Sequence, residues 1–253
     1  MTKDTLRHEL NKILISNRPS HGIRRIMDDG TYTMYGLDEI AKCKGFQQNN
    51  PHHDKDVFEH IMTVLDLVEP KLELRLAALF HDMGKPETYT KDEKGVGHFY
   101  THHKVSAKIC REVMTQLNYS KQEIDYVSEL VYWHMIKHNT IKTKTIRKFI
   151  KNIGDDKLED LFKLQRADIS GGKPPHNYEQ VDVLQNKCNE VIHSTPPLSI
   201  KDLEVDGHDM MILGYKGSDI GKCLNYLLDI VIKDDDKNEK EALIDLAKKF
   251  KEN

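Results

Sequence analysis

The sequence predicts an all-α fold, on three observations. Apolar residues recur at helical spacing wherever a pattern can be read, period-two alternation is nearly absent, and Pro- and Gly-rich punctuation falls between the periodic runs. That punctuation, at Gly171, Gly172, Pro174 and Pro175 and again at Pro196 and Pro197, helps divide the 253 residues into three blocks. They are an N-terminal helical arm over residues 1–50, a central helical bundle over 51–195 and a helical tail over 196–253. One exception to the helical pattern lies between Tyr89 and Tyr100. Two short aromatic-bearing arms there flank KDEKGVG, which suits a small β-hairpin.

In the central block, Val57, Ile61, Val64, Leu65 and Val68 mark the buried side of one helix. The next, LELRLAALF, is strongly apolar and runs into His81-Asp82, with Gly84 placed as its C-terminal cap. Val105, Ile109 and Val113 define a further helical face, Val127 and Val131 another, and Leu161, Gln165 and Ile169 a fifth. In the tail, an amphipathic segment over Ile220–Ile232 and a last helix near Glu239–Phe250 are separated by the solvated run KDDDKNEK.

Composition narrows the function classes. With 38% apolar and 31% charged residues the chain reads as globular. The longest nearly apolar stretch, Leu74–Phe80, carries Arg75 and is too short to span a bilayer, and MTKDTLRHEL has no apolar signal-peptide core. A cytoplasmic protein with no membrane partner is expected. Cys43, Cys110, Cys188 and Cys223 are scattered without a CxxC pair, which points to reduced thiols. A net charge of −3 excludes wholesale attraction to nucleic acid, so any such affinity is local. The best candidate is the run from Lys137 to Lys151, which contains no acidic residue. Arg147 stands in it as a candidate substrate-binding residue, although a solvated helix face explains the run as well.

Chemistry is expected where polar residues interrupt apolar faces. His60, His81, Asp82, His102, His134 and Asp168 each do so, and five helices thus aim imidazoles and carboxylates at one interior. Buried together, such groups need mutual hydrogen bonds or a cation, and a metal is the simplest account. His60, His81, Asp82 and Asp168 would make a first site, and His102 with His134 a second, bridged by Asp82. Mixed imidazole and carboxylate donors suit Mn²⁺, Fe²⁺, Co²⁺, Ni²⁺ or Zn²⁺, one ion or two, with Mg²⁺ and Ca²⁺ less suited. A second His-Asp pair, His208-Asp209, lacks both the apolar helix and the Gly-Lys-Pro exit and is read as structural.

The order H...HD...D resembles the HD superfamily of metal-dependent phosphohydrolases. NPHHDKDVFEHIMTVLD, LRLAALFHDMGKPETYTKDEKGVGHFYTHHKVSAKI, LVYWHMIKH and LQRAD look like the HD region of bacterial tRNA nucleotidyltransferases, the CCA-adding enzymes. DTLRHELNKILISNRPSHGIRRIMDDG resembles their neck, and SIKDLEVDGHDMMILGYKGSDIGKCLNYLLDIVI their body and tail. The resemblance implies an HD-domain helical bundle with a neck-like arm and a body-like tail. It also implies the same metal ligands, Lys85 as a phosphate neighbour and His53 near the pocket. Thr101 stands where the family often has glycine, and His103 where glutamate is common. No counterpart of the nucleotidyltransferase head is found here, so the chain alone is not expected to add nucleotides.

The expected function is a phosphodiesterase or phosphomonoesterase acting on nucleotides or RNA termini such as 2′,3′-cyclic phosphates, tRNA among the candidate substrates. Asp82 and Lys85 carry the catalysis in that reading. The alternative is a non-catalytic tRNA- or RNA-binding module, or the partner of a separate nucleotidyltransferase head.

Overall fold

Helical spacing translates directly into architecture. The computed structural model describes residues 1–51, 54–136, 143–193 and 199–251, and apart from turns it is helical with one two-stranded hairpin, in agreement with the all-α expectation. The described residues fall into two compact units, one from Met1–Asn139 with Ile150–Gln185, the other from Thr140–Phe149 with Asn186–Asn253. Among them no helix is long and apolar enough to cross a membrane.

In the first unit, α1 (Lys3–Leu14) is capped by Thr2 and buries Leu6, Leu10 and Leu14, one residue per turn. Proline opens α2 (Pro19–Asp28), where its missing N–H costs nothing. A 3₁₀ turn, Thr31–Tyr35, leads to α3 (Asp38–Cys43). The arm helices pack on α4 (Val57–Leu67) and α5 (Leu72–Phe80). Asp56 caps α4 through the Glu59 N–H at 2.7 Å, and Arg24 of α2 grips the Glu59 carboxylate with both terminal nitrogens.

Every residue of α5 from Leu74 to Phe80 is buried, Arg75 included. Among the described residues no carboxylate pairs with its guanidinium. It donates instead to the carbonyls of Val68 (2.9 Å), Glu69 (3.1 Å), Leu14 (2.9 Å) and Ser16 (3.3 Å), at the C-terminal ends of α4 and α1. A cation is stabilised there by the unpaired carbonyls and negative dipole ends of two helices.

Beyond α5 follow a tight turn, α6 (Lys85–Thr88) and the hairpin of β1 (Thr90–Lys91) and β2 (Gly97–His98), paired antiparallel. Then come α7 (His102–Gln116) and α8 (Lys121–Trp133), which pack together, α8 opening on a Ser120–Glu123 capping box. Helices α9 (Thr143–Ile153) and α11 (Glu179–His193) contribute residues to both units, and α10 (Leu158–Gly171) packs on α4, α5 and α8.

The second unit has its own core of Met210, Tyr215, Cys223, Leu224, Leu227, Val231, Leu243 and neighbours. It is built from α12 (Gly207–Ile212), α13 (Ser218–Lys233) and α14 (Lys240–Lys251), with Tyr226 stacked on Phe250 at 4.4 Å. The acidic run between α13 and α14 is not fully solvated as expected. Asp235 and Asp236 are half-buried because both face the Arg147 guanidinium.

Candidate metal centre

Six side chains meet inside the first unit. His60 points inward from the middle of α4, His81 and Asp82 from the turn that ends α5, and His102 from the first residue of α7. His134 does so from the end of α8 and Asp168 from the last turns of α10. All four imidazoles and Asp82 are at most 4% exposed, and the Asp168 side chain is 21% exposed.

The donor atoms form two groups that share one carboxylate. His60 Nε2 lies 3.3 Å from His81 Nε2, 2.9 Å from Asp168 Oδ1 and 3.4 Å from Asp82 Oδ2, with His81 Nε2 3.3 Å from that same oxygen. On the other side Asp82 Oδ1 faces His102 Nε2 at 3.2 Å and His134 Nε2 at 3.9 Å, and those two nitrogens are 3.3 Å apart. Donors bound at about 2.1 Å to one ion, at angles of about 90–110°, stand roughly 3.0–3.4 Å from one another. Most of the separations match that spacing.

The tautomers point the same way. His81, His102 and His134 each donate from Nδ1 to the backbone carbonyl three residues earlier, Ala78 (2.8 Å), Phe99 (2.7 Å) and Val131 (2.6 Å). In the neutral ring the lone pair is then at Nε2, facing Asp82. Nitrogen lone pairs aimed at one another and at a carboxylate repel unless something positive lies between them. Among the described residues neither oxygen of Asp82 accepts a hydrogen bond of ordinary geometry, although both are buried and the Lys85 ammonium reaches one of them. A divalent cation fits this donor set.

Titration behaviour shows the same demand for positive charge. Burial disfavours a charged His81, but Asp82 and Asp168 outweigh it and push its pKa up to about 10. Burial likewise opposes ionisation of Asp82, yet His81, Lys85 and His102 hold its carboxyl well below the usual range. His60 and His81 do the same for Asp168. His134 is pushed down to about 3 by burial, then by His102 and His81, so it is neutral and ready to donate. Without an ion, a proton on His81 substitutes for one.

Gly84 does not act as the expected left-handed helix cap, since its φ is −81° and its ψ −4°. It is required for a different reason. A Cβ there would lie 2.7 Å from the His102 carbonyl oxygen and 2.8 Å from Ser106 N, so only glycine lets the turn press against α7. The Gly84 N–H donates to Ser106 Oγ at 2.9 Å, locking the turn that carries His81 and Asp82.

Lys85 is 5% exposed, with Nζ 2.7 Å from Asp82 Oδ2 and donating to Gln48 Oε1 at 2.8 Å. A cavity of about 640 Å³ opens over the cluster, lined by Asp82, Lys85, His102, His134, Gln165 and Asp168 among others. His53 lies outside the described residues. Arg147 belongs to the second unit, where Asp235 and Asp236 engage it. The second His-Asp pair is structural as read, with His208 exposed and Asp209 accepting from the Asp206 N–H in a capping box.

Sequence reading missed three residues at the site. Gln48 holds Lys85, Asn50 donates to Gly97 O at 3.0 Å on the cavity edge, and Gln165 Nε2 donates to the His134 carbonyl at 2.9 Å. Gln48 and Asn50 lie in an aperiodic stretch that carries no signal. Gln165 stood on the face of Asp168, and a polar residue one turn from a candidate ligand was the available clue.

Comparison with known proteins agrees with this geometry. Residues 57–181 match the HD domain family. The chain is 31% identical over 236 residues to the CC-adding tRNA nucleotidyltransferase of Thermus thermophilus, covering 90% of this chain and 52% of that protein. It is 29% identical over 182 residues to the A-adding tRNA nucleotidyltransferase of Deinococcus radiodurans, covering 70% and 41%. A bifunctional uridylyltransferase/uridylyl-removing enzyme of Ruegeria pomeroyi is 25% identical over 201 residues, covering 68% and 21%. The chain thus spans about half the length, or less, of the curated relatives it matches. It carries an HD domain related to that of the tRNA nucleotidyltransferases.

Proposed function

We propose that the chain is a metal-dependent phosphohydrolase that cleaves phosphoesters of nucleotides or RNA termini, 2′,3′-cyclic phosphates included. The observation that carries this reading is the pair of donor groups on either side of Asp82, opening into a cavity of about 640 Å³, within the range of small-molecule sites. His60, His81, Asp82 and Asp168 would hold one divalent ion, and Asp82, His102 and His134 a second. The ions would be drawn from Mn²⁺, Fe²⁺, Co²⁺, Ni²⁺ and Zn²⁺.

Bound there, a divalent ion supplies Lewis acidity toward a phosphoryl oxygen and lowers the pKa of water. The chain's own groups do the rest. Asp82 orients both donor sets, and its buried negative charge keeps the Lys85 ammonium at the cavity wall. Lys85 can neutralise charge that develops on a phosphoryl oxygen, and Gln48 fixes its position. The tRNA relatives favour an RNA terminus as substrate, and removal of a uridylyl group, in the name of the third relative, is itself phosphodiester cleavage.

The test is hydrolysis of bis-p-nitrophenyl phosphate, p-nitrophenyl phosphate and 2′,3′-cAMP by metal-stripped protein after adding back each metal. The expected outcome is activity that needs metal and falls at least a hundredfold in Asp82→Ala, a loss in line with removal of a central electrostatic group. Silence in every combination, with metal bound, would favour the second reading, an RNA-binding module. That reading rests on the relatives' action on tRNA and predicts salt-dependent tRNA binding that Asp82→Ala leaves intact.

A further inference from the structure

We infer that Tyr100 is a stacking platform for the base of a nucleotide whose phosphate sits beside Asp82, an inference that rests on the phosphohydrolase reading above. Tyr100 is 69% exposed, yet it lines the same cavity as Asp82, His102 and His134. Its ring is braced. The His98 imidazole lies parallel to it, 8° between planes and 5.4 Å between centroids. His98 Nε2 is in turn 3.0 Å from Asp92 Oδ2, while the other Asp92 oxygen accepts from the N–H groups of Lys94 and Val96, both at 2.9 Å.

The hairpin that carries this stack is tied down on its other side. The Gly97 N–H donates to the Asn49 carbonyl at 2.8 Å, and Asn50 Nδ2 donates to the Gly97 carbonyl at 3.0 Å. A Cβ on Gly97 would fall 2.1 Å from the Gln48 carbonyl oxygen, so the two segments touch backbone to backbone. After Tyr100 the chain passes through Thr101 at φ 65°, a left-handed conformation that is costly for a β-branched residue. That turn leaves Tyr100 on the rim while it sends His102, two residues on, into the cluster at 4% exposure.

Tyr100 and the Asp82, His102 and His134 side chains line one cavity of about 640 Å³, room enough for a phosphate at one end and a base at the other. A planar ring on the same cavity as the phosphate site, stacked on one side by His98, selects for a planar partner. Base-on-aromatic stacking is indifferent to sequence because every base has a π face. Lys173, His176 and Asn177, on the same cavity, offer donors and acceptors to the sugar or the base edge. A phosphosugar without a base would gain nothing from Tyr100.

The experiment is calorimetric titration of the full, Mn²⁺-loaded chain with AMP and ribose 5-phosphate, each as its non-hydrolysable methylenephosphonate analogue, and with inorganic phosphate, for wild type, Tyr100→Ala and Tyr100→Phe. Wild type should bind AMP about tenfold more tightly than ribose 5-phosphate, the effect expected of one stacked base. Tyr100→Ala should remove that advantage and leave ribose 5-phosphate and inorganic phosphate as they were, and Tyr100→Phe should keep it. Equal affinity of wild type for AMP and ribose 5-phosphate, no measurable AMP binding, or parallel loss of all three ligands in Tyr100→Ala would overturn the inference. Failure of the hydrolytic reading is separately visible, because the same loaded protein would then bind these ligands yet leave bis-p-nitrophenyl phosphate intact.

Discussion

At the scale of single residues, the polarity of the site is set by hydrogen bonds one turn back along the chain. Three imidazoles spend their Nδ1 proton on the carbonyl of residue i−3, which leaves Nε2 as the donor toward Asp82. His81 has a pKa pushed up to about 10 by Asp82 and Asp168 against the effect of burial, so near neutral pH its Nε2 carries a proton in the ion-free chain. That proton must leave before an ion can bind. Affinity for a divalent ion should therefore rise about tenfold per pH unit from pH 6 to 8, and calorimetry in buffers of different ionisation enthalpy should find about one proton released per ion at the first site. Affinity flat across that range, with no proton released, would show that no proton on His81 competes with the ion. The cluster of candidate ligands was legible in the sequence because each member broke an apolar face. Gln48 and Asn50 were not, because their positions depend on where an aperiodic strap crosses the hairpin. In the sequence Thr101 stands out only as a departure from a family glycine. Its φ of 65° supplies the physical reason a glycine is common there.

At the scale of elements, the expected helices formed where periodicity placed them, and His81-Asp82 does end the apolar α5. Sequence reading did not anticipate what Gly84 is for. A cap is a local property that a glycine after a helix suggests, whereas close approach of a turn to α7 is tertiary and leaves no periodic trace. Arg75 was likewise legible only as a break in an apolar run. In the fold it joins the ends of α1 and α4 to α5, the helix that delivers His81 and Asp82. Arg75→Met keeps the bulk but strands buried carbonyls, so it should destabilise the protein by about 3 kcal/mol in urea unfolding. A change within about 0.5 kcal/mol would mean that those carbonyls are satisfied another way.

At the scale of the whole molecule, a cluster of four imidazoles and two carboxylates is a liability that a single bound ion, or two, would convert into a cross-link. The candidate ligands come from α4, α7, α10 and the ends of α5 and α8, so an ion bound there would tie together most of the first unit. The two units have separate cores, which sequence punctuation could suggest but not delimit, because α9 and α11 carry residues of both. The most direct test of the account is to load metal-stripped protein with Mn²⁺ or Zn²⁺, remove the excess, and count retained metal by elemental analysis alongside thermal unfolding. The account predicts one to two ions per wild-type chain, with a raised Tm, and fewer than 0.2 per chain (roughly, given nonspecific retention) in a folded Asp82→Ala variant. Wild-type protein that stays folded but retains no metal, or an Asp82→Ala variant that retains as much as wild type, would contradict it.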